Sequence, residues 1–408
     1  MGLLFYRIFT GLYFLSIWVS SLFNAKAKLW VKGRRGIFKK IKTQLADKGD
    51  NRIWIHCASL GEFEQARPLI EKLKAQDTSF VIIVTFFSPS GYEVRKNYEL
   101  ADAIFYLPAD NYINAHRFFK HVKPTKVYFV KYEFWYYFLS KAFNKNIPVY
   151  LVSGLFRENQ VFFKWYGGFY KKLLKRFNHL FVQNQASADL LIKHGITKVT
   201  VSGDTRFDRV SDTAAKVHPM PSIADFKGKK KLLVLGSSWE PEEEIIEQFI
   251  NEENPDIKVI IAPHDISLKH IHQIQGRFKD AIVYSRLSLG DVKEASVMII
   301  DNIGLLSSIY QYADFAFVGG GFGSGLHNIL EPAAFNMPII FGHKTEKFPE
   351  AKTMIEIGAG FQVSTYTDFK QTMLSILNNQ HIRQIAREAC KNYVQRNVGA
   401  TNKILEQS

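Results

Sequence analysis

Three short segments of this 408-residue chain place an acid or an arginine where it could do chemistry. In His56–Glu64 (HCASLGEFE), small residues and a glycine follow an apolar run and open a helix, so Glu62 falls in the first turn. A carboxylate there can act as general base toward a hydroxyl. Taken alone, the segment is better read as an acid favourably placed at a helix N-terminus. In Lys131–Trp135 (KYEFW), Glu133 stands among aromatics at the end of another apolar run; alone, it reads as a surface charge beside a packed Trp. In Ser202–Asp208 (SGDTRFD), Arg206 can neutralise a phosphate or carboxylate, or pair with Asp204 or Asp208.

A fourth segment, Gly319–Glu331 (GGGFGSGLHNILE), carries the strongest signal. Its glycines follow a strand-like run and precede a helix expected to open near His327–Pro332. Backbone N–H groups and a helix N-terminus make a phosphate site, and glycine permits close approach. Glu331 on the new helix is placed to accept bonds from ribose hydroxyls. No GK[ST] follows, so this is not a Walker loop. It does not open the chain's first strand–helix unit, which argues against a dinucleotide site. Two loops support the same ligand: Ala262–Asp265 (APHD) and Asn302–Leu306 (NIGLL). The histidines form no HExxH arrangement, so His56 and His327 read as loop or core residues rather than metal ligands. Cys57 and Cys390 are too far apart in sequence to suggest a disulfide framework or zinc site, which reads as a cytoplasmic body.

These segments need elements to hold them. Arg52–His56, Phe80–Thr85, Ala103–Leu107, Lys126–Val130, Pro148–Val152 and His179–Val182 are apolar runs of strand length, with helical stretches such as Glu62–Ala75 between them. Continuous apolar runs suit parallel strands buried on both faces. The pattern restarts at Lys231–Gly236, followed by an acidic helix over Glu240–Ile250. Lys258–Ala262, Ala281–Tyr284, Val297–Ile300, Phe315–Val318 and Pro338–Phe341 continue it. An inter-domain linker is expected over Thr213–Lys231, and a last helix near Ile382–Val398 can pack on either domain. The expected fold is α/β: two Rossmann-like, doubly wound domains with a cleft between them, the architecture called GT-B. The expected division is 1–25, an N-terminal membrane-anchor helix; 26–215, an acceptor-binding domain; and 216–408, a nucleotide-sugar-binding domain. In such sheets ligands sit beyond the C-terminal ends of strands, where all four segments fall.

Net charge is +15, which suits an acidic partner. Leu3–Phe23 is apolar and aromatic apart from Arg7 and a few small polar residues, and is followed by a dense run of Lys and Arg through Lys42. The positive-inside rule keeps that charge cytoplasmic. An uncleaved membrane anchor is expected; the alternative is a helix lying flat at the interface or docked on the protein, which Arg7 supports because charge inside a bilayer is costly. The basic aromatic stretch Lys164–Arg176 suits single strands of nucleic acid or phosphates at a membrane surface. The anchor decides for the membrane, and no nucleic acid partner is expected.

Taken together, the segments resemble the Kdo transferases (3-deoxy-D-manno-octulosonic acid transferases, the GT30 family of lipopolysaccharide and lipid A biosynthesis). The resemblance runs from the anchor to about Gly342. It rests on Ser59–Glu62, Glu133–Trp135, Gly203–Asp208, the GSxxxxEEE stretch Gly236–Glu244, and His327–Pro332. The chain departs from the family in carrying Lys131 where an acid is common, Arg206 for Lys, Ala262 with Pro263 where Pro-Arg is common, and Trp239 for His. The resemblance implies an inverting transfer of Kdo from CMP-Kdo to a lipid A precursor, lipid IVA, at the cytoplasmic face of the inner membrane. It implies no cofactor and no metal; no Asp-x-Asp pair of the metal-dependent kind is found. On this reading Glu62 is the base, and Glu133 and Arg206 stabilise charge as the bond to CMP breaks. Pro263, His264, Ile303, Gly304, Leu305, Asn328, Ile329, Leu330 and Glu331 would hold CMP. The alternatives are a nucleotide-sugar epimerase of GT-B-like fold and a non-catalytic membrane adaptor.

Overall fold

The computed structural model describes residues 2–287, 292–323 and 325–408, so Met1 of the expected anchor and Ser324 of the glycine-rich run lie outside the described residues. The chain divides into two compact units, Met1–Arg209 with Asn397–Ser408, and Val210–Arg396.

The first unit is built on seven strands: β1 (Arg52–Cys57), β2 (Val81–Phe86), β3 (Ala103–Tyr106), β4 (Lys126–Val130), β5 (Val149–Gly154), β6 (His179–Val182) and β7 (Val199–Val201). They form one sheet in the order β3-β2-β1-β4-β5-β6-β7, and every pairing is parallel. Parallel neighbours require helical crossovers, which cover both faces. Alternate residues of β1 accordingly enter different cores: Trp54 packs with Ile83, Phe105 and Phe129, while Ile53 and Ile55 pack with Val84, Tyr128 and Val130. Fully burying one such aliphatic or aromatic side chain contributes about 1.5–3 kcal/mol. Strand order reverses between β1 and β4, the switch point at which open α/β sheets bind ligands.

The second unit repeats this plan with β8 (Lys231–Ser238), β9 (Ile257–Pro263), β10 (Ile282–Val283), β11 (Val297–Ile299), β12 (Phe315–Val318), β13 (Ile339–Gly342) and β14 (Gly360–Val363). The order is β10-β11-β9-β8-β12-β13-β14, again with parallel pairings, and it reverses between β8 and β12.

Three sequence expectations need correction. The strands β7 and β14 were not anticipated: one is three partly exposed residues, and the other opens on a glycine and exposes Gln362. The expected linker Thr213–Lys231 is ordered. It holds the helix Pro221–Lys227, whose Ile223 and Phe226 are fully buried with Leu232 and Ile260. Residues 397–408, expected with the second domain, join the first unit. The Asp208 carboxylate accepts from the Gly399 and Thr401 amides, at 2.5 and 2.6 Å, and Ile404 enters the core beside Val152 and Phe181.

The N-terminus forms α1 (Gly2–Ser20), α2 (Ala25–Arg34), which Asn24 caps, and α3 (Ile37–Gln44). Among the described residues, α1 is the one helix long and apolar enough to cross a membrane. It is also docked on its own unit. Tyr6 donates its hydroxyl to Asp110 at 2.5 Å and accepts from the Tyr136 amide at 3.1 Å. Arg7 donates to the Tyr137 hydroxyl, which pairs the one charge of α1 with protein. Phe14 stacks on Trp30 and Trp135. The other face exposes Leu4, Phe5, Ile8, Phe9 and Leu12.

Candidate active site

At the switch point of the first sheet, β1 runs through Cys57 and Ala58 into α4 (Leu60–Gln76). Ser59 ends the extended segment, and Glu62 lies in the first turn of α4. Its carboxylate accepts from the Ala58 amide, satisfying a backbone donor next to the helix start. Burial, then the like charge of Glu133, push the Glu62 carboxyl up to about 7; the Ala58 amide and Lys131 oppose the shift. A carboxyl poised near 7 is matched to proton abstraction at neutral pH.

Glu133 follows β4. Lys131, one residue into the turn, takes a left-handed backbone with φ of 59°, a conformation that costs a non-glycine residue energy and tends to occur at functional sites. Trp135 donates its indole N–H to Glu133 Oε2 at 3.1 Å, and His56 Nε2 approaches the same oxygen at 3.4 Å. His56 is fully buried at the end of β1, and Thr85 is its register partner on β2. Thr85 Oγ1 accepts from Trp54 Nε1 at 2.8 Å and lies 2.9 Å from His56 Nδ1. A hydroxyl can accept twice, so the Trp54 contact alone does not set the tautomer; the approach of Nε2 to the acceptor Glu133 does, and with a proton there Nδ1 accepts from the Thr85 hydroxyl. This leaves the His56 proton on Nε2, facing Glu133.

Arg206 lies in the helix Thr205–Ala215. Its guanidinium meets Asp204 Oδ2 through Nε at 2.9 Å and through a terminal nitrogen at 2.8 Å. Gln65, one turn beyond Glu62 on α4, donates to Asp204 Oδ1 at 3.3 Å. Arg206 therefore forms the ion pair that was the plain alternative for it, within a bonded path to α4. Asp208 is turned away to residues 399 and 401.

In the second unit, the ends of β9, β8 and β12 stand side by side. Ser237 has φ of 54°, and a Cβ on Gly319 would lie 2.3 Å from its carbonyl oxygen, so Gly319 is required by close approach. The amides of Gly319, Gly323, Gly325 and His327 donate to carbonyls of Gly236, Gly320, Gly320 and Gly319 respectively. Gly320 N–H donates to the buried carboxylate of Glu242 at 2.8 Å, and the Trp239 amide donates to the same residue at 3.1 Å. The expectation that glycine-loop amides cradle a phosphate is thus corrected for these positions. Their protons are already bonded, and Glu242 occupies the anion's place. Burial pushes the Glu242 carboxyl above its usual range.

Three aromatic rings converge above these strand ends. His264 stacks on Trp239 and on His327, each at 4.7 Å between centroids, and Trp239 Nε1 donates to His327 Nε2 at 3.2 Å. Accepting that proton requires a neutral His327 nitrogen. Burial, then His264, push its imidazole down to about 4. Trp239 remains about a third exposed, at 36%. Pro263 ends β9 beside Ser238, and the His264 amide donates to the Ser238 carbonyl at 3.0 Å. Just before the short helix Leu330–Ala334, Asn328 accepts from the Leu330 amide at 3.1 Å, and its side-chain amide donates to Glu331 at 3.1 Å. Ile329 and Leu330 are buried, holding that turn by their side chains. Ile303 and Gly304 stand exposed on the loop after β11, with Leu305 half-buried beside them.

Among known proteins, residues 31–209 match the family model described as 3-deoxy-D-manno-octulosonic-acid transferase (kdotransferase). The 3-deoxy-D-manno-octulosonic acid transferase of Aquifex aeolicus is 28% identical over 336 residues, 80% of this chain and 86% of the relative. That of Haemophilus influenzae is 26% identical, covering 87% of this chain and 86% of its own length. The chain is thus similar to Kdo transferases, through the family model over residues 31–209 and through these relatives over most of its length. That likeness supports a glycosyltransferase. Among solved structures, the UDP-GlcNAc 2-epimerase of Methanocaldococcus jannaschii matches with a TM-score of 0.54 at 17% identity, over 81% of this chain and 93% of its own. That of Neisseria meningitidis bound to UDP-GlcNAc gives 0.51 at 14%, over 85% and 99%. At these identities the likeness is one of GT-B-like fold. Within the transferase, His56, Thr85 and Glu242 were not legible as site residues. The signal of His56 and Thr85 is a polar residue inside an apolar strand; Glu242 is marked only as part of the GSxxxxEEE stretch, with no role attached.

Proposed function

We propose that this transferase moves Kdo from CMP-Kdo to a hydroxyl of a phosphorylated lipid A precursor, lipid IVA, with inversion and without a metal or cofactor. The reading is supported first by Glu62. A carboxyl raised to about 7 stands at the switch point beside a second carboxylate, where a general base belongs. In the proposed step, the acceptor oxygen attacks the anomeric carbon of Kdo, its proton passes to Glu62, and the bond to the CMP phosphate breaks. Glu133, oriented by Trp135 and His56, stabilises positive charge developing on the sugar. Arg206, steadied by Asp204, is assigned to the departing phosphate. Pro263, His264, the loop Ile303–Leu305 and the turn Asn328–Glu331 hold CMP, with Glu331 on the ribose. In this scheme 26–215 serves the acceptor and 216–396 the donor. The helix α1 sets the enzyme on the cytoplasmic face of the inner membrane.

The test is transfer from CMP-Kdo to lipid IVA, with product mass as readout. Acceptor-dependent product from the native chain, and at least ~100-fold less from folded Glu62→Gln, is expected for a lost general base. Consumption of CMP-Kdo without acceptor would favour the epimerase reading; no consumption at all would favour the adaptor.

A further inference from the structure

A cavity of about 530 Å³ opens where α1, α2 and α3 meet the loop after β3. Its walls include Phe14, Trp18, Trp30, Phe38 and Pro108. Its charged lining is wholly cationic: Arg34, Arg35, Lys39 and Arg117. Arg34 donates only to carbonyl oxygens, of Leu107 at 2.7 Å, Phe87 at 2.9 Å and Trp30 at 3.1 Å. Arg117 lies over the Phe38 ring at 4.1 Å. Among the described residues, none of the four has an ion-pair partner. Arg34 is within electrostatic reach of Glu133, while the exposed Arg35, Lys39 and Arg117 share the lining with no carboxylate, an arrangement that attracts an anion.

A second cavity of about 490 Å³ shares Phe14 and Asn114 with the first and runs along α1 past Gly11, Tyr112 and Ile113. Its one acid, Asp110, is buried and engaged by Tyr6, Tyr137 and Phe138. A cationic pocket thus continues into a furrow beside the exposed apolar face of α1. Both volumes fall in the ordinary range for ligand pockets, about 300–1,000 Å³. A soluble phosphate would leave the aromatic walls and the furrow unused.

We propose that this paired cavity is a binding site for a lipid with a phosphate headgroup. The phosphate sits among Arg35, Lys39 and Arg117, and one acyl chain lies in the furrow past Gly11. The two cavities are lined by none of the residues assigned to transfer, although Arg34 and Phe14 connect them to Glu133 and Trp135. Two sources share the chemistry: a bilayer glycerophospholipid and a phosphorylated glycolipid acceptor.

The full chain in uncharged detergent is offered phosphatidylglycerol, phosphatidylcholine or lipid IVA, and bound lipid is counted by native mass spectrometry. Phosphatidylglycerol is expected to bind one per chain, and the net-neutral phosphatidylcholine at least ~10-fold more weakly. The triple variant Arg35→Gln/Lys39→Gln/Arg117→Gln is expected to weaken phosphatidylglycerol on the order of 100-fold at low salt, since each basic residue near an anionic lipid contributes about fivefold. Gly11 lines the furrow and has nothing within 4 Å of an added Cβ, so Gly11→Leu starts its side chain in open space. It is expected to weaken the lipid ~10-fold while leaving inorganic phosphate affinity unchanged, with near-UV circular dichroism confirming the fold. Displacement of phosphatidylglycerol by lipid IVA, with a raised acceptor KM in the triple variant, identifies the acceptor as the source. No displacement and an unchanged KM identify a bilayer lipid. Equal binding of phosphatidylglycerol and phosphatidylcholine, or undiminished binding in both variants, would overturn the proposal.

Discussion

Glu62 must lose a proton to act as a base, and its surroundings hold that proton. With the carboxyl raised to about 7, kcat/KM is expected to rise with pH through about 7 and to fall tenfold per unit well below it. A pH–rate profile flat from 5.5 to 8 would remove Glu62 from this role. The same shift has a consequence for stability. A carboxyl raised in the folded state stabilises the fold fully below its ordinary 4.5, and that contribution is lost as pH rises through about 7. The melting temperature of the native chain should therefore drop more between pH 5 and pH 8 than that of Glu62→Gln, whose side chain does not ionise. In the second unit, Trp239→Ala removes both a stacking face and the proton donated to His327. It is expected to raise the donor KM about 10-fold with a smaller change in kcat, as loss of binding shared by ground and transition states does.

At the scale of elements, α1 does two things at once. Its outer face is apolar and exposed, while Tyr6 and Thr10 are buried against the first unit. Tyr6→Phe would leave the buried Asp110 carboxylate with two of its three hydrogen-bond donors, at a cost of roughly 1–3 kcal/mol. A lowered melting temperature with membrane binding intact checks this; an unchanged one means the docking contributes nothing. The helix was legible as a hydrophobic segment, because composition and length suffice for that. Its docking was not, since Asp110 lies 104 residues away in sequence. The same limit applies to His56. Its strand is plain from RIWIH, but its role needs Thr85 from a neighbouring strand and Glu133 from another. Long apolar runs announce themselves because a strand buried on both faces needs nothing else. A polar residue inside one announces only that a partner exists.

For the whole molecule, the presence of two parallel α/β units was readable from the way the apolar pattern restarts at Lys231. The return of residues 397–408 to the first unit was not, because one short helix carries no signal of which core it will fill. Asp208 secures that return by accepting from Gly399, from the Thr401 amide and from the Thr401 hydroxyl. Asp208→Ala would leave these groups unpaired and is expected to cost roughly 2–4 kcal/mol, since charge-assisted hydrogen bonds are the strong ones. Hydrogen exchange should then show residues 399–406 losing protection while β8–β14 keep theirs. Unchanged protection at 399–406 would mean that Ile404 alone suffices.

That return sets an order on the making of the protein. The helix α1 leaves the ribosome ahead of the sheet it docks on, and its apolar face can reach a lipid surface while the rest is still being translated. Residues 397–408 leave after the whole of Val210–Arg396, a delay of roughly 10–40 s at ordinary elongation rates. Through that interval the first unit is tethered yet unfinished, with the place of Ile404 open and Asp208 without its donors. A nascent chain interrupted there carries an unfilled core in its first unit, so the interval is a window in which holding chaperones or proteases can tell finished molecules from unfinished ones.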